Sequence, residues 1–170
     1  LIIIFSVTSV NAACKFDLSL GDDYSKIENK YGPALPAMFP EIKILPVQTN
    51  EICPNEKLEN IATEYRFLND ELVAVNFVAL NDDRNLVTEK LTLMNYVKKN
   101  YNDFDIGNNP NAYEGVEVFE KTNLFIIYQR LTGDDGIKDE QIYISTPKLD
   151  EKLSKFYADK EMEQLDSQWN

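Results

Sequence analysis

After a largely apolar run, LIIIFSVT at residues 1–8, the hydrophobic positions fall into two rhythms, one near 3.6 residues and one of two. In SLGDDYSKIENKYGP (19–33), Leu20, Tyr24, Ile27 and Tyr31 recur at helical spacing. Asp22 or Asp23 can cap this helix, and Gly32 with Pro33 ends it. Residues 33–57 carry five prolines, which predicts an extended, irregular connection. Its apolar content, including Leu35, Phe39, Ile42, Leu45 and Val47, predicts that it lies across the body of the domain.

The period then shortens. IATEYRFLNDELVAVNFVAL (61–80) reads as a hairpin, with Tyr65 and Phe67 alternating against Glu64 and Arg66. Asn69-Asp70 supplies its turn, and Leu72 to Leu80 forms a nearly continuous apolar strand. DDRNLVTEKLTLMNYVKKNYNDF (82–104) predicts the longest helix, with Val87, Leu91, Met94, Val97 or Lys98, and Tyr101 along one face and Asp82, Asp83 or Asn85 at its start. VEVFEKTNLFIIYQRL (116–131) is a second hairpin that turns at Thr122-Asn123, and EQIYIST (140–146) is a third strand after the GDDG bend. Pro147 opens a last helix whose buried stripe is expected to run through Leu149, Leu153, Phe156 or Tyr157, and Leu165.

Helix then hairpin, twice, with an extra strand and a closing helix, predicts an α+β domain. Its sheet should be antiparallel, with about five strands and the helices packed on one face. In its order of elements the layout resembles small envelope modules built from helix-plus-hairpin units, such as outer-membrane assembly lipoproteins and β-lactamase inhibitory proteins. The two halves share no residue identity, so the repetition is one of layout, and a layout does not fix a function.

The leader bears on compartment. Residues 1–12 read as a truncated signal peptide, because Val10-Asn11-Ala12 fits the small-x-small cleavage pattern. Residues 13–170 then form a single globular domain. The apolar stretch is shorter than the roughly 20 residues that span a bilayer. Two fates compete for Cys14: a lipid anchor, against which Asn11 stands where a lipobox wants a Leu-like residue, and a disulfide with Cys53. Oxidising compartments favour the disulfide. Its 39-residue separation implies roughly 4 kcal/mol from loop closure.

Composition narrows the chemistry. A net charge of −12 disfavours nucleic acid and anionic membranes as partners. No histidine is present, which removes Ser/His and Cys/His nucleophile pairs, the HExxH metalloprotease helix and most zinc and copper sites. Neither a glycine-rich phosphate loop nor a CxxC pair occurs.

One spacing does match a site. In DFDIGNNPNAYE (103–114), Asp103, Asp105, Gly107, Asn109, Asn111 and Glu114 occupy positions 1, 3, 5, 7, 9 and 12 of a calcium-loop template. Asn108 stands where the template wants Gly, and Pro110 replaces the usual branched aliphatic. The competing reading is a surface loop whose Asp, Asn, Gly and Pro turn the chain. Asp134, Asp135, Asp139 and Glu140 read as a solvated hairpin tip.

The expectation is therefore an exported, periplasmic or secreted module that binds a protein or a small ligand and is not an enzyme. It has no cofactor other than calcium to consider. The alternatives are an exported hydrolase using an Asp/Glu pair in a concave pocket and a calcium-stabilised envelope protein.

Overall fold

The computed structural model describes residues 14–16, 18–80, 91–121, 123–134 and 136–168; the leader at 1–12 and the start of the expected long helix, with Val87, lie outside them. Among the described residues seven strands form the framework: β1 (Leu35–Pro36), β2 (Ile42–Gln48), β3 (Ile61–Leu68), β4 (Glu71–Ala79), β5 (Gly115–Lys121), β6 (Leu124–Thr132) and β7 (Lys138–Ser145). They lie in the order β1-β2-β3-β4-β7-β6-β5, with every neighbouring pair antiparallel. The mixed α+β class stands, but the strand count is seven instead of about five.

The two extra strands come from the proline-rich segment. Pro36 lies in the two-residue outer strand, and Pro46 falls beyond the end of β1, where β2 is itself the edge. Edges are where a sheet tolerates proline. The β3–β4 hairpin turns on Asn69 and Asp70, both left-handed at φ 50° and 66°, the conformation that a two-residue hairpin loop needs.

Among the described residues four helices accompany the sheet: α1 (Glu28–Tyr31), α2 (Thr49–Ile52), α3 (Thr92–Asn100) and α4 (Pro147–Gln168). They do not share one face, contrary to the expectation. Leu93, Met94 and Val97 of α3 join Tyr65, Phe77 and Tyr128 in the main core. Leu149 and Leu153 of α4 pack with Val73 and Tyr143 on the other side. The reason lies in β4, where every residue from Leu72 to Phe77 is buried. A strand buried on both faces requires cover on both. The twice-repeated helix-hairpin layout therefore does not hold in detail.

Two helical patterns are realised only in part. The 20–31 segment divides into a 3₁₀ turn at Tyr24–Lys26 and the single turn α1. Asp23 Oδ1 caps the first by accepting from Ser25 N (2.9 Å). Tyr24 is buried, donating its O–H to Gly32 O and accepting from Ala34 N, both at 2.8 Å. In α4 the buried stripe ends early: Leu149 and Leu153 are buried, whereas Leu165 is 53% exposed.

Cys14 and Cys53 are joined as a disulfide, with Cα atoms 4.3 Å apart. The bond ties the segment before α1 to the end of α2, where Lys15 N also donates to Ile52 O (2.8 Å). Among the described residues no helix is long and apolar enough to cross a membrane.

Candidate binding cleft under the C-terminal helix

The α4 face of the sheet carries polar side chains where an apolar layer is expected. Period-two alternation places Asn76 of β4 and Tyr143 of β7 directly opposite each other, with Ile127 of β6 next in the row. Gln129 and Gln141 form the adjoining cross-strand pair. Arg66 sits at a bulge: Val73 is an extra residue in β4 at the Arg66–Phe67 step. Bulges bend a strand locally and re-aim the side chains beside them.

α4 closes the other wall. Thr146 Oγ1 caps its start by accepting from Leu149 N (3.2 Å), which sets Asp150 in the first turn above Tyr143. Between helix and sheet lies a cleft of about 270 Å³, bounded by Arg66, Asn76 and Tyr143 on one side and Asp150, Leu153 and Tyr157 on the other.

The electrostatics of this cleft are unbalanced. Tyr143 donates its O–H to Asp150 Oδ1 (2.8 Å). Burial pushes the phenol well above its ordinary range and the carboxylate adds to that shift, so the hydroxyl stays a donor. Arg66 makes no ion pair among the described residues, and its Nε is buried without a hydrogen-bond partner. Asn76 is 3% exposed, and its Oδ1 likewise has no partner. Leaving a buried polar atom unsatisfied costs about 1–3 kcal/mol. Two such atoms, one donor and one acceptor, belong to residues that line the cleft, although each atom itself is shielded.

The residues of the calcium-loop spacing are drawn in different directions. Asp103 pairs with Lys98 Nζ of α3 (2.6 Å). Glu114 is bonded by Lys138 Nζ and Thr132 Oγ1 at the far strands. In both cases the lysine holds the carboxyl below its usual range. Asp105 Oδ1 accepts from Gly107 N (2.8 Å) and Asn109 Oδ1 from Asn111 N (3.2 Å), which are turn-forming bonds. Asn111 Oδ1 is buried without a partner. The left-handed residue is Gly107 at φ 65°, one position before the place the template assigns to glycine. Among the described residues no group of three or more Asp, Glu, His or Cys side chains is placed to hold a metal ion.

The acidic bend needs a correction. Glu140 is not solvated: it lies under α3 at 5% exposure, beside Arg130 at 1%. Arg130 Nη1 donates to Glu140 Oε2 (2.9 Å) and Tyr128 O–H to Oε1 (2.7 Å). Burial pushes this carboxyl up from its ordinary value, while the tyrosine and the arginine push back. Asp135 lies outside the described residues.

The hydrophobic pattern alone did not single out Arg66, Asn76, Tyr143 or Asp150. One signal was present: Asn76 is a lone polar residue inside the apolar strand VAVNFVAL. No protein-family model matches the chain, and neither a curated protein nor a solved structure shows significant similarity to it.

Proposed function

We propose that the chain is an exported, non-catalytic binding module whose ligand sits in the cleft beneath α4. Asn76 carries this reading. An amide buried in a strand beside a cleft, with its carbonyl unpaired, destabilises the protein as it stands, a cost that a role in binding explains. The cleft is small beside the roughly 300–1,000 Å³ of pockets for drug-sized ligands, which suits a small polar molecule. Export is supported by the signal-like leader and by the Cys14–Cys53 disulfide, a bond that oxidising compartments keep.

A hydrolase built on paired carboxylates is less well supported. Among the described residues Asp150 is the sole carboxylate lining this cleft. Glu56 and Glu59 share another depression, but Lys99 Nζ reaches both Glu56 oxygens at 2.9 Å.

Asn76→Leu tests the reading through stability. A leucine removes the unpaired amide and adds apolar contact beside Leu153, so the urea midpoint is expected to rise, by about 1–3 kcal/mol in unfolding free energy. An asparagine serving the fold instead predicts a loss of stability, and that result overturns the proposal.

A further inference from the structure

We propose that β5 is the surface through which two copies of this chain associate, edge to edge and antiparallel, with Phe119 at the two-fold axis. The inference is independent of the cleft under α4. It starts from an asymmetry between the two edges of the sheet. One edge is blunted: β1 has only two residues, one of them Pro36. At the other, β5 runs for seven residues without a proline and pairs one-to-one with β6 without a bulge. Among the described residues no strand lies on its outer side. Short strands, prolines and bulges are the devices that keep sheet edges from pairing, and β5 uses none of them.

Both side chains and backbone at this edge are open. Val116 and Val118 are 51% and 54% exposed. They stand opposite Gln129 and Ile127 of β6, so a further strand alongside would extend the same row and cover them. Lys121 pairs with Leu124 across a two-residue connection, a position at which the two backbones bond to each other. Alternation from there turns the N–H and C=O groups of Phe119, Glu117 and Gly115 toward β6, and those of Val116, Val118 and Glu120 outward.

Charge selects a second copy and its register. A two-fold axis perpendicular to the sheet keeps every side chain on its own face, so only registers centred on a residue are open. Centred on Glu117, two carboxylates oppose each other. Centred on Val118, Val116 faces Glu120 and Glu117 faces Phe119. Centred on Phe119, Glu117 of each copy faces Lys121 of the other and the two Phe119 rings meet. Opposite charges and aromatic pairs across strands are stabilising, and like charges directly opposite are destabilising. Neither charge is neutralised within the described residues: Glu117 Oε1 accepts from the Tyr113 hydroxyl (2.8 Å), and Lys121 Nζ donates to Asn100 O (2.5 Å). The net charge of −12 opposes association at low salt. At about 0.15 M salt the Debye length falls to about 8 Å, which leaves only the charges near the edge to decide.

Sedimentation equilibrium of the disulfide-bonded protein, from about 5 μM to about 0.5 mM in about 0.15 M salt, tests this. A monomer–dimer equilibrium with a Kd of about 10–100 μM is expected, because one strand pair lies at the small end of interfaces. Val118→Lys, at an exposed position, is expected to leave the urea midpoint unchanged and to abolish the dimer. Glu117→Lys and Lys121→Glu each turn two attractive pairs into repulsive ones, and each should weaken the dimer by about tenfold or more. The double variant restores both pairs with their signs exchanged and should return to within about threefold of the parent. A monomer at the highest concentration overturns the proposal and leaves the edge to a strand of another protein. A dimer that survives Val118→Lys uses a different surface and overturns it as well. Single charge variants that dimerise like the parent, or a double variant as weak as its singles, overturn the pairing of Glu117 with Lys121.

Discussion

Glu140→Gln takes a charge out of the buried Arg130–Glu140 pair while nearly preserving its shape. With Nη1 and Oε2 2.9 Å apart, the gross attraction is about 6 kcal/mol at an effective dielectric of roughly 20. Most of that is offset by the cost of removing both charges from water. The loss on breaking the pair is larger than the net worth of the intact pair, because the guanidinium remains buried at 1% exposure opposite a neutral amide. Breaking such pairs typically costs 3–5 kcal/mol. Glutamine still accepts from the Tyr128 hydroxyl, so the expected loss is toward the lower end, about 3 kcal/mol. For a domain of this size that lowers the thermal midpoint by roughly 6–12 °C. Urea unfolding followed by circular dichroism measures it directly, with an unchanged m-value showing that the folded state keeps its compactness. The double variant Arg130→Met, Glu140→Leu, which removes both charges, is expected to recover most of the loss. A loss below about 1 kcal/mol for Glu140→Gln would mean that the carboxyl is already neutral in the folded protein. A double variant as unstable as the sum of its singles would refute the argument that a charge buried opposite a neutral amide is costly.

The other predictions concern the disulfide, acid stability and the helix. Reducing Cys14–Cys53 is expected to lower stability by up to roughly 4 kcal/mol, from the 39-residue separation, and the intact mass should rise by about two hydrogens. An unchanged urea midpoint after complete reduction would refute the stabilising role. Lysine contacts hold Asp22, Asp103 and Glu114 below their ordinary pKa values. Depressed carboxylates contribute stability above their unfolded values near 4, and this is lost as pH falls through the lower folded values. Melting midpoints are therefore expected to drop below about pH 4, and the decline should be shallower in 1 M salt, which screens exposed pairs. Along α4, Leu153→Ala is expected to cost about 2–5 kcal/mol, whereas Leu165→Glu should stay within about 0.5 kcal/mol by urea melting. Equal effects would contradict the observed burial.

The parts of the fold that were legible in sequence are those where one local rule acts without competition. Asn69-Asp70 lies between two alternating runs, and the hairpin forms there because few other residues accept consecutive left-handed conformations. Proline misled at 33–57: it marks irregular chain in general, yet Pro36 and Pro46 sit where a sheet edge accommodates it. The continuous apolar run of β4 indicated burial without saying that cover would come from two sides. Glu140 was misread because it follows an acidic bend. Its phase tells the truth, since it alternates with Ile142 and Ile144 and stands opposite Arg130. The cleft was hidden for a related reason: Arg66, Asn76, Tyr143 and Asp150 come from four elements, and only the pairing of β4 with β7 brings them together.

That pairing also bears on how the chain reaches its native state. β3 and β4 can meet as soon as they exist, and so can β5 and β6, but the two hairpins become one sheet only through β7, near the end of the chain. Joining distant segments slows folding, because the loop entropy is spent before the contacts reward it. Until residues 138–145 are available, β4 presents an apolar edge with unpaired backbone groups, the kind of template on which other chains aggregate. A protein cut short before β7 would therefore retain both hairpins and still be a hazard to its neighbours, with its solubility decided by the last strand to arrive.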